Sequence, residues 1–371
     1  LKAVRDQEYY GLQALRAIAA LAVVAGHTGD YLLAQNGTIP AALAWIHGPA
    51  GVDLFFVISG FVMTISSGRL LQKANPARIF LWRRILRIVP LYWIFTTLKL
   101  VLVTAHPSLS THAKPSLWNI VSSYLFIPSR GMNGDIRPVI VVGWTLSFEM
   151  LFYVLFALSL LVGRERIEGG GRRGLVRFLV VSVGLVALLG LFRTDSWPAW
   201  TAFADPIVLE FLAGVGIARL ALRGCFPGKG VSMALVGMGV AALILLLPGG
   251  SILTTRALVW GVPAGMIVLG LVALESTIVG ALPKWLLLLG DASYSIYLVQ
   301  TFVLPELHII LDKLRPGMVH ERPLTAGLVL IAAGLVTTSV AGVVSYLLLE
   351  RQIINFLKRS GRQELVAPVL R

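Results

Sequence analysis

Arg16 and His27 both lie inside the first apolar stretch of the chain, Leu12 to Leu33. Ionisable side chains in a lipid-spanning helix cost several kcal/mol, so they mark a functional interior by default. Their eleven-residue offset, at about 100° per residue, comes to about 20° past three whole turns. Both side chains therefore share one helix face, about 16 Å apart along the axis. Asp30 follows His27 at i+3, close enough to orient an imidazole. With Nδ1 held by such a partner, the neutral Nε2 of His27 can take a proton from a hydroxyl. Asp30 is one candidate for that partner and Glu149, on a later helix, is another. A histidine in an apolar helix is often only a hydrogen-bonded packing residue, but Asp30 and Arg16 on the same face favour chemistry.

Further groups lie in other apolar segments. Asp53 in Gly51-Val-Asp53-Leu-Phe-Phe-Val-Ile-Ser59-Gly60 reads equally well as a helix-start cap and as a functional carboxylate. Ser59 and Gly60 suit close helix packing. Arg84 and Arg87 in Arg83-Arg84-Ile-Leu-Arg87 are i,i+3 and form a two-pronged anion site. Spacing alone favours a plainer role for that pair, fixing topology and binding lipid headgroups. Glu149, in Trp144-Thr-Leu-Ser147-Phe-Glu149, falls near mid-membrane and requires a proton or a partner, with Arg16 and His27 the obvious candidates. Tyr294, Ser295 and Gln300 form a polar stripe at helical spacing, for packing or for lining a cavity. Lys99, Asp205 and Glu210 are further embedded charges with no assigned role.

These residues need helices that cross a bilayer. The chain has 371 residues, 57% hydrophobic and 13% charged, with mean hydropathy +0.82. That composition gives an all-α, polytopic integral membrane protein. Ten spans are expected, near 11–33, 50–67, 88–105, 139–163, 176–192, 205–222, 231–247, 256–274, 285–309 and 324–349. Residues 1–349 form the transmembrane domain and 350–371 a basic tail. With the N-terminus inside, 22 of the 32 Lys and Arg lie on the inner side and 8 outside. Both termini are then cytoplasmic. The net charge of +14 is explained by this topology, and no nucleic-acid partner is expected. The outer segment His106 to Pro138 could cover a site, and Glu165 to Gly174 reads as a flexible linker. Cys225 is the only cysteine, and the six His do not cluster with carboxylates at ligand spacing. No metal site is expected.

Several segments together resemble the membrane acyltransferase-3 family. They are Leu15-Arg16 with His27 (R-x10-H), Gly51 to Gly60, Arg84-x-x-Arg87, Trp144-Thr-Leu-Ser147-Phe-Glu149, and Ser293-Tyr294-Ser295-Ile-Tyr297-Leu. The Gln13-Ala-Leu-Arg16 opening is most similar to the branch that acetylates bacterial exopolysaccharides. The resemblance implies a ten-helix enzyme of the bacterial inner membrane that moves an acyl group, by resemblance acetyl, from cytoplasmic acyl-CoA to a glycan hydroxyl. It implies that Arg84 and Arg87, with Arg16, bind the CoA donor, which makes an anion site the better reading of that pair. His27, Asp30 and Glu149 are then the catalytic candidates, with Asp53, Ser59, Trp144, Ser147, Tyr294, Ser295 and Gln300 supporting. Many relatives carry His where this chain has Gln300, and Gln cannot act as a base near neutral pH. Two alternatives remain: a glycolipid or acyl-donor transporter without chemistry, and an acyltransferase acting on a macrolide or other non-glycan acceptor.

Overall fold

A segment immersed in lipid must close its own backbone hydrogen bonds, and each long apolar segment of this chain does so as a helix. The computed structural model describes residues 8–46, 48–68, 70–105, 115–131, 134–164, 171–194, 196–246 and 256–359. Among them the β pairing is one isolated bridge, Arg130 to Ile136. The helices are α1 (Tyr10–Asn36), α2 (Ala50–Ser67), α3 (Pro76–Ala105), α4 (Leu117–Tyr124), α5 (Trp144–Arg164), α6 (Gly171–Leu191) and α7 (Val208–Arg223). They continue as α8 (Lys229–Leu245), α9 (Val262–Ile278), α10 (Lys284–Asp291), α11 (Ser293–Leu314), α12 (Met318–Glu321), α13 (Pro323–Ser345) and α14 (Arg351–Arg359). Nine helical stretches among the described residues are long and apolar enough to cross a bilayer. The remaining expected span is α8, an apolar helix of 17 residues.

The structure corrects four boundaries. The third helix begins at Pro76 rather than near 88, so Arg84 and Arg87 stand inside it. The ninth span is interrupted at Ala292, where α10 ends and α11 begins. Gly171 to Gly174 are helical, not linker. Glycine disfavours a helix by about 1 kcal/mol, a cost that packing of α6 on α5 and α7 offsets. Residues 165–170 of that expected linker lie outside the described residues, as do 106–114 of the outer segment and 360–371 of the tail. The last long helix runs past 349 through a π-helical turn, Tyr346–Glu350, into α14.

Helix α1 is the central post, packed against α2, α9, α10, α11 and α13. Its start is held by Glu275 of α9, whose carboxylate accepts the amides of Tyr10 (2.7 Å) and Gly11 (3.0 Å). Those amides have no partner within the helix, and a carboxylate there also meets the positive end of the helix dipole. One turn on, Gln13 Nε2 donates to Asp291 Oδ1 (2.8 Å) and the Leu287 carbonyl (3.0 Å), both on α10.

A chain of rings joins α3, α5 and α7. Phe80 stacks on Phe156 (4.9 Å), and Phe152 stacks on Phe211 (4.3 Å). Beyond α3, Asn119, Ser122, Ser123 and Ser129 are buried and bonded to one another or to nearby backbone. They tie α4 and the loop after it to the end of the bundle, where Trp93 of α3 donates to the Tyr124 carbonyl at 2.9 Å. Phe126, at φ 59°, turns the chain after α4 and packs its ring on Tyr92 at 4.7 Å.

Helices α2 and α7 meet at Gly60 and Gly214. A methyl group on Gly60 would fall on the Phe211 carbonyl oxygen, and one on Gly214 on the Val57 carbonyl oxygen. In lipid, such backbone approach through small residues stands in for the hydrophobic drive that water supplies elsewhere. Gly60→Val should therefore lower stability by about 1–3 kcal/mol. A thermal-unfolding midpoint in detergent that falls clearly below wild type would confirm this; an unchanged midpoint would refute it.

Candidate active site

With α1 fixed at its start, Arg16 faces a cavity of about 100 Å³ between α1, α2, α3, α5 and α11. The polar lining is Arg16, Ser59, Arg84, Arg87, Thr145, Glu149, Tyr153, Ser293, Tyr294 and Tyr297; apolar side chains such as Phe55, Phe56 and Ile88 close the rest. The structure thus brings Arg16, Arg84, Arg87, Glu149, Ser59 and Tyr294, all expected from the sequence, to one site from four helices and α1.

Glu149 is held by hydroxyls. Its Oε1 accepts from Tyr153 (2.6 Å), one turn along α5, and from Ser59 across the cavity (3.3 Å). The expected direct pairing with Arg16 or His27 is not made. Arg84 is 6% exposed; it donates to Ser66 Oγ at 3.1 Å and lies over the rings of Phe80 (5.5 Å) and Tyr153 (5.9 Å). Arg16 and Arg87 are half-buried, and among the described residues neither makes a hydrogen bond or ion pair. Three guanidinium groups therefore converge on one cavity, two with all their donors unspent. Such a site suits an anion with several acceptor oxygens.

His27 does not line this cavity. Its Nδ1 lies 3.0 Å from Gln300 Oε1, so its partner is neither Asp30 nor Glu149. Asp30 is exposed, and Glu149 is engaged by Ser59 and Tyr153. Gln300 is 1% exposed, and its Nε2 donates to the Tyr297 carbonyl at 3.0 Å. That bond fixes the amide with its oxygen towards the imidazole, which places the ring proton on Nδ1 and leaves the Nε2 lone pair open. Tyr297 also links the two places: its ring lines the cavity while its backbone holds Gln300. The Tyr297 hydroxyl donates to the Val142 carbonyl (3.0 Å) and lies 2.9 Å from Thr145 Oγ1.

The other expected residues sit around this core. Tyr294 donates to the Ile88 carbonyl at 2.8 Å, joining α11 to α3. Ser295 donates to Glu350 Oε2 at 2.7 Å and points away from the cavity. Ser147 is buried, and Trp144 packs edge-on against Phe148 at 5.9 Å. Asp53 does not cap α2; it is fully buried in an ion pair with Arg256 at 2.8 Å. Sequence reasoning missed Tyr153, Glu350 and Arg256. Tyr153 was findable at i+4 from Glu149. Glu350 reads as the start of a tail, and Arg256 as one more charge between spans. Among the described residues no group of three or more His, Cys, Asp or Glu could hold a metal ion.

Residues 9–347 match the family model Acyl_transf_3, an acyltransferase domain. The chain is 34% identical over 316 residues to the exopolysaccharide production protein ExoZ of Rhizobium meliloti, covering 83% of this chain and 90% of that protein. It is 23% identical over 224 residues to the peptidoglycan O-acetyltransferase OatA of Listeria monocytogenes, covering 56% of this chain and 33% of that protein. The chain thus spans about a third of the length of that second relative. No solved structure matches it. A match from the first turn of α1 to the π-helical turn after α13 takes in every cavity residue, and the chain belongs to the acyltransferase-3 family, in its ExoZ-like branch.

Proposed function

We propose that this protein is an O-acyltransferase of the bacterial cytoplasmic membrane. It takes an acetyl group from cytoplasmic acetyl-CoA and gives it to a hydroxyl of an exopolysaccharide or lipid-linked glycan. The observation that carries this reading is the cavity where Arg16, Arg84 and Arg87 converge, with two of the guanidinium groups unpartnered among the described residues. The names of the relatives support a glycan acceptor: one acts in exopolysaccharide production and another O-acetylates peptidoglycan. The excess of Lys and Arg in the segments flanking the α3 start supports a cytoplasmic location for that end, with both termini inside.

In this reading the three arginines hold the phosphates of the donor. The donor's extended arm then runs along α1 towards His27, a span of about 16 Å from Arg16. Nε2 of His27 takes the proton of the acceptor hydroxyl as its oxygen attacks the thioester carbonyl. The new C–O bond forms, the C–S bond breaks, and the thiolate receives the proton back from the imidazolium. Gln300 keeps the ring in the tautomer this requires. In a two-step route Nε2 itself attacks the thioester, the C–N bond forming as the C–S bond breaks and thiolate leaves. The acceptor oxygen then attacks the acyl carbon, the C–N bond breaks, and the hydroxyl proton passes to the thiolate. Asp30, exposed on α1, is left with no contact to the ring and is not needed by either route.

Purified protein in detergent, given acetyl-CoA and a crude glycan acceptor, should release free thiol in step with acyl transfer. His27→Ala should lower turnover by about 10²- to 10⁴-fold while leaving the melting midpoint in place. Gln300→Leu should give a smaller loss, about tenfold or more, with acetyl-CoA affinity unchanged. Full turnover in His27→Ala would overturn the assignment. At the other end of the site, Arg87→Ala should weaken acetyl-CoA binding by about tenfold or more, because a charge-assisted hydrogen bond is worth about 1.5–3 kcal/mol. Equilibrium binding that is unchanged in Arg87→Ala and Arg16→Ala alike would remove the donor from this cavity.

A further inference from the structure

Arg256 lies one residue before a π-helical turn, Ala257–Gly261, that leads into α9. Its side chain is 13% exposed and that of its partner Asp53 is 0% exposed. Nε donates to Oδ1 at 3.1 Å and Nη2 to Oδ2 at 2.8 Å, a two-pronged grip; Nη2 also reaches the Pro49 carbonyl at 3.1 Å. The guanidinium carbon lies 5.7 Å from the ring centre of Trp144 and 5.3 Å from that of Trp260. Glu210 of α7, 2% exposed and beside Asp53, packs against Gly261 of the same turn. The start of α2, the start of α5 and the π-helical turn thus meet at one cation, with α7 alongside.

The anchor points of this cation flank the active cavity. Val52, Phe55 and Phe56 beside Asp53, and Thr145 and Leu146 beside Trp144, are cavity wall, while Arg256 itself is not. Helices α2 and α5 carry Ser59 and Glu149, whose mutual contact of 3.3 Å is long for a hydroxyl on a carboxylate. That contact does not hold the helices at their spacing. Phe56, between Phe148 (6.1 Å) and Phe152 (5.5 Å), bridges them by packing, which tolerates sliding. A planar fork on a carboxylate does not tolerate sliding, because both bonds require one orientation. A buried ion pair adds little net stability over apolar packing, so its directionality is what distinguishes it here.

We propose that Arg256 is a positioning residue for acyl transfer: its grip on Asp53 and its seat between Trp144 and Trp260 set the distance between α2 and α5, and with it the placement of Ser59 against Glu149. The activity readout rests on the proposed acetyl-CoA-dependent reaction, whereas the geometry can be read without it.

The test compares wild type with Arg256→Lys, Arg256→Gln and the double variant Asp53→Asn/Arg256→Gln. The double variant removes both charges of the pair together, so neither Asp53 nor Arg256 is left as a buried ion without the other. Acetyl-CoA binding at equilibrium and thiol release with a pool of soluble gluco- and galacto-oligosaccharides are measured on each. In parallel, Thr145→Cys in a Cys225→Ser background reports the cavity wall through its rate of labelling by a water-soluble maleimide. Turnover should fall by about 100-fold in Arg256→Gln and in the double variant, as expected for a misplacement of about 1 Å, while acetyl-CoA affinity stays within about threefold. Arg256→Lys, which keeps the charge and loses the fork, should fall between. The labelling rate should change several-fold in the two slow variants. A folded double variant with wild-type labelling, or with wild-type turnover, overturns the proposal. If wild type binds no acetyl-CoA, the functional reading fails, and the labelling rates alone decide for or against the positioning role.

Discussion

Glu275 standing on the first amides of α1 is the contact from which the site is built. A helix that presents Arg16 towards one end and His27 towards the other is useful only if it neither slides nor turns. A slip of one residue would rotate Arg16 by about 100° and carry it out of the cavity. The carboxylate sets the height of α1, and Gln13, bonded to Asp291 and Leu287 one turn further, sets its rotation. Two of the helices that contribute to the cavity or to His27 pack on this post: α2 with Ser59, and α11 with Tyr294, Tyr297 and Gln300. The break at Ala292 belongs to the same arrangement. Asp291 closes α10 towards Gln13, while Ser293 and Tyr294 open α11 towards the cavity.

The cavity was largely legible in the sequence because its residues break an apolar pattern that composition makes unambiguous. Arg16, Arg84, Arg87 and Glu149 are charges inside segments long enough to span a bilayer, and lipid leaves such groups few places to go except a shared interior. Legibility ended where partners are distant in sequence. Asp30 is the near neighbour of His27, but an i+3 residue lies about 60° around the helix, and here that direction is exposed. The partner that holds the ring, Gln300, is 273 residues away. Glu350 was hidden by the expectation that the last span ends at 349, and the π-helical turn that buries it has no sequence signature comparable to a cap. Arg256 was hidden for another reason: arginines between spans are common, and spacing does not distinguish one that fixes topology from one that folds inward.

The difference between these arginines is in how many of their donors the protein itself engages. Arg256 directs three hydrogen bonds to protein oxygens and lies over the rings of Trp144 and Trp260. Three of its five N–H donors are thus spent on protein oxygens, and its carboxylate partner is wholly enclosed. Arg84 is intermediate, with one bond to Ser66 and its guanidinium carbon over the rings of Phe80 and Tyr153. Arg16 and Arg87 make no hydrogen bond or ion pair among the described residues, though each sits half-buried at the cavity wall. In a membrane interior an unmatched cation is costly, and each charge-assisted hydrogen bond that it could make is worth about 1.5–3 kcal/mol. Two guanidinium groups in this condition, beside a third that is bonded to protein, are what the proposed anion site requires. The same logic bears on Glu149, whose contacts are neutral hydroxyls rather than the arginines across the cavity. Direct ion pairs there would satisfy the carboxylate and close the site. Hydroxyl donors satisfy it while leaving the cations open, so the cavity retains both its charge and its space.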